Sequence, residues 1–250
     1  MVKSIMIPTQ AFILAGGRGE RLRPLTEKIP KPMVLVQGMP ILEHAINGLV
    51  EHGVKKIIIA TGVMENKIRE YFGSGGKFGV DITYSHENKP LGTGGALVKA
   101  KNLLGKKFFM LNGDNLSDIN FTEMNEAHEK KNAVATIALI KVLEVSQYGV
   151  AKLEGNKIIE FVEKPMTETA PSNWANSGAY ILEKQAIDML PNGFSMIEKN
   201  LFPALAKKGA LFAYMHTGQW FPTDTPEKYE KANKEWKNPQ SKELKKQGLY

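Results

Sequence analysis

Residues 11–33 read AFILAGGRGERLRPLTEKIPKPM, and the order of residue types in this stretch decides the fold. Ala11–Leu14 is a short uncharged apolar run, the pattern of a strand buried on both faces. It breaks into Gly16, Gly17 and Gly19, and cations follow at once: Arg18, Arg21, Arg23, Lys28 and Lys31. Glycine lets the backbone turn tightly and bring its N–H groups close to an anion. The spacing is not the dinucleotide fingerprint, because no third glycine falls in place, nor a P-loop, which closes on Gly-Lys-Ser/Thr. A plain tight βα turn explains the glycines equally well, so they decide nothing alone. Pro30 and Pro32 add weight by holding the backbone around Lys31 extended. Arg21 and Lys31 then offer complementary cations, a planar fork and a point charge, for a reaction that builds charge on phosphate oxygens.

Outward from this stretch, strands and helices alternate. A helix is expected from Ile41 to about His52, with Pro40 before it and Gly53 after it. Lys56–Ala60 reads as a strand, Glu65–Phe72 as a helix, Val80–Tyr84 as a strand and Gly95–Leu103 as a helix. Phe108–Leu111 is a strand running into Asn112-Gly113-Asp114, followed by a helix at Phe121–Lys130 and a β run at Ala133–Lys141. This rhythm predicts an α/β fold with a doubly wound, mainly parallel sheet. Ligands of such sheets lie at the carboxyl ends of the strands, so Gly16–Arg23 and Asn112–Asp114 should share one rim.

The pattern changes after about Tyr148. Glu154-Gly155-Asn156 joins Gly149–Leu153 to Lys157–Val162 as a hairpin. A strand at Gly178–Leu182, helices near Lys184–Leu190 and Met196–Lys207, a strand at Leu211–Met215 and a helix at Pro226–Trp236 follow. These segments complete the same sheet and add a smaller lobe over its edge. With no low-complexity linker and no repeat, one domain over residues 1–250 is expected.

Composition sets outer limits. The 250 residues are 42% apolar and 24% charged, enough for a sizeable core in an ordinary globular chain. With no cysteine, disulfides and thiolate chemistry are excluded, and a reducing cytoplasm is the expected location. No stretch approaches a membrane span, and the first residues do not form a signal peptide. A net charge of +7 and a pI near 9.3 favour anionic partners. The basic run from Lys228 to Lys246 reads as a solvated helix face rather than a nucleic-acid stripe, since no aromatics interleave it.

Asp114, at the end of a buried strand, is placed to hold a hard cation such as Mg²⁺; a turn cap is the competing role. Asp118 is expected to cap the following helix. The histidines at 44, 52, 86, 128 and 216 lack metal-ligand spacing, and Met189 and Met196 read as packing. Trp174 and Tyr180 suit either stacking or core packing.

Six motifs in order carry a resemblance. Gly16-Gly17-x-Gly19-x-Arg21-Leu22-x-Pro24-Leu25-Thr26 with Pro30-Lys31-Pro32 comes first, then Leu91-Gly92-Thr93-Gly94-Gly95-Ala96 and Asn112-Gly113-Asp114. Tyr148-Gly149-Val150, Glu163-Lys164-Pro165 and Asn176-Ser177-Gly178 complete the set. Together they resemble the sugar-1-phosphate nucleotidyltransferases over residues 11 to about 230. The resemblance implies a Rossmann-like, GT-A-like mixed sheet whose nucleotide half covers about 11–147, its sugar-phosphate half about 148–237, and a tail 238–250. It also implies Mg²⁺-dependent transfer from an NTP to a sugar 1-phosphate, releasing pyrophosphate.

By the same likeness Leu14, Ala15, Gly16, Gly17, Gly19, Glu20, Arg21, Gly92, Thr93, Gly94 and Asn112 bind the nucleotide. Arg21, Lys31 and Asp114 are the catalytic set, with Arg21 on the departing pyrophosphate and Lys31 on the reacting phosphate. Gly149, Glu163, Lys164, Asn176 and Gly178 form the sugar-phosphate pocket. The metal ligands are Asp114 and Asp224. The second is a departure, because relatives place Asp where this chain has Pro222; an N-cap for the last helix is the competing role of Asp224.

The Leu91–Gly95 stretch looks more like guanylyl- or cytidylyltransferases than the thymidylyl branch. GTP with mannose or a heptose is therefore favoured, CTP is next, and UTP or dTTP with glucose 1-phosphate is an alternative. A catalytically silent subunit of the same fold is the alternative of another class, but such a chain should have lost Arg21, Lys31, Asp114 and Lys164. The ending near Tyr250 implies a short family member without a β-helix extension. A homodimer is left open.

Overall fold

The computed structural model describes residues 6–239. Residues 1–5, the end of the basic run towards Lys246 and nearly all of the 238–250 tail lie outside the described residues.

The first half builds β1 (Gln10–Ala15), β2 (Leu35–Val36), β3 (Met39–Pro40), α1 (Ile41–Glu51), β4 (Lys56–Thr61), α2 (Glu65–Phe72), β5 (Asp81–His86), α3 (Gly92–Ala100), β6 (Lys107–Asn112), β7 (Asn115–Ser117), α4 (Phe121–Lys130) and β8 (Ala135–Lys141). The second half adds β9 (Gly149–Glu154), β10 (Lys157–Glu163), β11 (Trp174–Glu183), α5 (Phe202–Lys207), β12 (Leu211–Met215), β13 (Trp220–Pro222) and α6 (Pro226–Glu235).

Nine strands form one sheet in the order β5-β4-β1-β6-β11-β8-β12-β10-β9. The four strands β5, β4, β1 and β6 are mutually parallel. The strand β11 enters antiparallel between β6 and β8, so the sheet is mixed beyond this point. Both halves of the chain therefore complete one sheet, as the sequence predicts.

Alternation along β1 shows why that strand is central. Phe12 joins the apolar cluster that α3 and α5 cover on one face, while Ala11, Ile13 and Ala15 join the cluster under α1, α2 and α4 on the other. Each buried Phe or Ile contributes roughly 1.5–3 kcal/mol relative to exposure, so a charge on either face of β1 would break the sheet. A third, smaller cluster of Leu22, Val34, Val36, Ile41, Leu116, Ala232 and Trp236 ties the loop after β1 to α6.

Several local expectations are corrected. The helix expected at Gly95–Leu103 begins earlier, at Gly92, and tightens into a 3₁₀ turn at Lys101–Leu103. The helix expected near Lys184–Leu190 is a 3₁₀ helix, Lys184–Met189, and the Met196–Lys207 segment opens with a π-helical turn, Ile197–Leu201, before α5. Asp118 does not cap α4: Asn120 does, accepting from the Thr122 and Glu123 N–H groups. Asp118 instead accepts from the Gln219 N–H at 2.7 Å, pinning the loop ahead of β13.

Candidate active site

One cleft of about 640 Å³ opens at the carboxyl ends of β1, β5 and β6. Leu14, Ala15, Gly16, Gly17, Gly19, Glu20 and Arg21 line one side of it, with Lys31, Gly92, Thr93, Asn112, Asp114 and Asp224 around the remainder. Glu87 lines it too, its carboxylate accepting from the Leu91 N–H at 3.1 Å. A larger hollow, about 840 Å³, lies at the amino ends of β1, β4 and β6, the rim where open α/β sheets do not bind ligands.

The loop after β1 is shaped by Gly19. Its φ of +62° is a left-handed conformation, and a Cβ there would stand 2.8 Å from Lys31 Cβ. Thr26 Oγ1 donates to the Gly19 carbonyl at 2.8 Å and fastens the turn. The loop is thereby laid directly on Lys31, whose side chain is 7% exposed and donates to Asp114 Oδ2 at 2.8 Å. An isolated buried ammonium would cost several kcal/mol, and the Asp114 carboxylate offsets that. Lys31 is thus a buried, paired cation rather than a solvated loop side chain.

Opposite, Arg21 Nη1 lies 2.9 Å from Asp224 Oδ2. Burial would raise the proton affinity of Asp224. The hydrogen bond from Lys228 and the charges of Lys228, Arg21 and Lys31 outweigh burial and hold the carboxyl below its usual range. Asp224 does not cap α6, because Thr225 Oγ1 accepts the Lys228 N–H. Thr223 Oγ1 donates to the Asp114 carbonyl at 2.8 Å, so the segments carrying Asp114 and Asp224 abut.

Gly94 stands apart from the cleft wall, its N–H donating to the Ser195 carbonyl at 2.9 Å. The five expected sugar-phosphate residues also lie off this lining. Gly149 faces Glu163 across the β9–β10 pairing, and the Lys164 N–H donates to the Tyr148 carbonyl. A bulge in β11 between Asn176 and Tyr180 lets Asn176 Nδ2 reach the Tyr180 hydroxyl at 2.9 Å; Tyr180 itself is wholly buried. Gly178, at φ +83°, sits in that bulge, and a Cβ there would lie 3.0 Å from Asn112 Nδ2. At this close approach β11 meets Asn112, a cleft-lining residue.

Two contributors were not foreseen from sequence. Lys228 opens the basic run expected to be a solvated face, yet its Nζ donates to Asp224, Gln147 and Tyr148 at 2.7–3.0 Å. The Asp224–Lys228 spacing of four residues at a helix start was the available signal. Thr223, fully buried, had no such signal.

A glycine cradle, with the cations Arg21 and Lys31 and the carboxylates Asp114 and Asp224 around one cleft, defines an α/β protein suited to binding phosphates. Residues 10–238 match the family described as nucleotidyl transferase, and the chain belongs to that family. It is 40% identical over 226 residues to the mannose-1-phosphate guanylyltransferase catalytic subunit beta of Xenopus tropicalis, covering 88% of this chain and 62% of that protein. The chain therefore spans just over three-fifths of the length of that relative. Among solved structures it resembles UDP-glucose pyrophosphorylase complexed with UDP-glucose, with a TM-score of 0.80 and 27% identity over 91% of this chain and 97% of that one. HddC from Yersinia pseudotuberculosis complexed with GMP-PN gives a TM-score of 0.77 and 29% identity, covering 93% and 100%. Among the described residues no helix is long and apolar enough to cross a membrane.

Proposed function

We propose that the chain transfers a nucleotidyl group from an NTP, with GTP favoured, to a sugar 1-phosphate of the mannose or heptose type, releasing pyrophosphate. The observation that carries this reading is the placement of Arg21, Lys31 and Asp114 around one glycine-lined cleft.

The chemistry needs no enzyme nucleophile. An oxygen of the sugar phosphate, already ionised near pH 7, attacks the α-phosphorus in line; the new P–O bond forms as the bond to the β-phosphate's bridging oxygen breaks. Backbone N–H groups of Gly16, Gly17 and Gly19 would hold the NTP phosphates, with Leu14, Ala15 and Glu20 shaping the same wall. Lys31, fixed by burial, neutralises the reacting phosphate, and Arg21, open to solvent, follows the leaving pyrophosphate. Gly92 and Thr93 would present the loop to the base. Lys164 would take the acceptor's phosphate, and Glu163 its hydroxyls, with Gly149, Asn176 and Gly178 completing that pocket.

The donor set fits Mg²⁺. Asp114 and Asp224 supply hard oxygens from abutting segments in an open cleft, and Mg²⁺ binds through one or two carboxylates plus phosphate oxygens and water. Held by Asp114 and Asp224, the ion would neutralise charge on the NTP phosphates.

The base and sugar follow relatives named mannose-1-phosphate guanylyltransferases and the GMP-PN complex of HddC. The UDP-glucose pyrophosphorylase likeness keeps UTP with glucose 1-phosphate as the second reading.

The test is pyrophosphate release with GTP, CTP, UTP and dTTP against mannose, heptose and glucose 1-phosphates. GTP with mannose or a heptose should exceed other pairs at least tenfold in kcat/KM, and EDTA should stop it. A UTP–glucose preference would select the second reading, and release from no pair would overturn both.

A further inference from the structure

Asp118 lies outside the cleft, and three donors converge on its carboxylate. Oδ1 accepts the Gln219 backbone N–H at 2.7 Å, and Oδ2 accepts Gln219 Nε2 at 3.1 Å. His216, 5% exposed, places Nε2 3.1 Å from Asp118 Oδ1 and 3.0 Å from the Gln219 carbonyl. With acceptors on both sides, this nitrogen carries the proton and donates. The Asp118 N–H returns a bond to the Gln219 carbonyl at 3.3 Å. Gly218 admits the carboxylate to this turn, since a Cβ there would collide with Asp118 Oδ1.

This clasp closes one end of the two-stranded ribbon in which Trp220, Phe221 and Pro222 of β13 pair with Ser117, Leu116 and Asn115 of β7. The other end of the ribbon is the cleft. Asp114 directly precedes β7, Thr223 and Asp224 directly follow β13, and the Thr223 hydroxyl on the Asp114 carbonyl extends the pairing by one step. Gln219 also shuts the segment on itself. Its Oε1 accepts the Lys237 N–H at 2.8 Å and its Nε2 donates to the Lys237 carbonyl at 3.0 Å, just past α6. Asp224 therefore sits in a stretch, 219–237, that is closed at its base and hung from Asp118.

A ribbon with three residues in each strand is marginal alone, so its register has to be held from outside. A slip of one residue moves a strand by about 3.3 Å. Mg²⁺ accepts oxygen ligands only near 2.0–2.1 Å in close to octahedral geometry. A shift well short of one residue would thus spoil an ion shared by carboxylates on the two strands. The glycine wall, carried by β1, would stay in place.

We infer that Asp118 is a positioning residue for the metal pair: it fixes the register of β13 on β7, and so the separation of Asp114 and Asp224. This rests on the nucleotidyl-transfer reading with those two carboxylates as ligands.

The test uses the full chain in two measurements: turnover of GTP and mannose 1-phosphate over a range of Mg²⁺, and titration with Mn²⁺ alone followed by electron paramagnetic resonance. Asp118→Asn should weaken Mn²⁺ binding at least fivefold and raise the Mg²⁺ needed for half-maximal rate by a similar factor. At saturating Mg²⁺ the GTP KM should stay within about twofold, with circular dichroism unchanged. Gly218→Ala, which keeps the carboxylate but denies it its seat, should show the same metal defect. Unchanged metal constants in both variants would overturn the role of Asp118. So would equal rises in the metal constant and both substrate KM values, the mark of a general loss of structure. Native turnover indifferent to EDTA would remove the metal pair and this inference with it, but not the transfer reading. A native chain whose Mn²⁺ affinity depends on Asp118 as expected but which never releases pyrophosphate would instead overturn the transfer reading. Absence of both Mn²⁺ binding and turnover would remove both.

Discussion

The glycine-rich wall of the cleft and the wall facing it reach the same site by different routes. Leu14 to Lys31 is one continuous stretch, launched by the central strand β1 and folded back on itself so that Gly19 rests on Lys31. The facing wall comes from the far end of the chain. Asp224 is held there by Arg21 across the cleft and by Lys228 of the helix α6 that follows it, which is clipped in turn to Tyr148 and Gln147. One wall is a local product of sequence order, the other a product of long-range pairing. A substitution in the first should therefore damage chemistry, and one in the second should damage the way the walls are held together.

The largest expected effect lies where the near wall meets the metal candidate. Asp114→Asn keeps the size of the side chain but removes the charge that offsets buried Lys31 and the oxygen proposed for Mg²⁺. We expect kcat to fall at least a thousandfold while the NTP KM changes by less than tenfold, with circular dichroism unchanged. Near-native turnover in Mg²⁺ would remove Asp114 from the site and dissolve the contrast between the walls.

The same contrast explains what could be read before the fold was known. The strand β1, its glycine turn, the carboxyl-rim position of Asn112–Asp114 and the shared sheet were legible because hydrophobic alternation and turn chemistry are local signals. Arg21 and Lys31 were legible as cations, but the burial of Lys31 was not, since it depends on Gly19 folding across it. The pairing of Arg21 with Asp224, the tether from Thr223 to Asp114 and the hydrogen bonds of Lys228 depend on where β13 docks against β7, which no spacing encodes. Caps failed for a simpler reason. Asp118 and Asp224 were suitable caps by type, but Asn120 and Thr225 stand closer to their helices.

A second measurement separates loss of the cleft from loss of the fold. His128 is 2% exposed, away from both walls, with Nδ1 against Thr136 Oγ1 at 2.8 Å. Burial, helped by the charge of Lys107, lowers its pKa from 6.5 to about 4. The unfolded chain then binds more protons than the folded one between these values, so stability is full above about pH 6.5 and declines as pH falls. Between pH 7.5 and 5 this one group should remove about 2 kcal/mol. His44, also lowered by burial, acts in the same direction. Urea midpoints across this range should fall, and less steeply in His128→Gln. A flat profile would mean that His128 is charged or exposed in the folded state.

The smallest effect asked for is the most direct test of the facing wall. Lys228→Met removes the ammonium from Asp224, Gln147 and Tyr148 while leaving the Arg21–Asp224 pair in place. With only a quarter of the Lys228 side chain exposed, the loss should exceed that of a surface ion pair. Because Arg21 still holds Asp224, it should stay well below that of a fully buried pair. We expect kcat/KM to fall five- to tenfold, about 1 kcal/mol, with both substrate KM values rising together because the tether joins the segments proposed for nucleotide and acceptor. If only kcat changed, Lys228 would belong with the reacting groups of the near wall. If nothing changed, Arg21 alone would suffice to hold Asp224, and the two walls would be joined by one pairing rather than two.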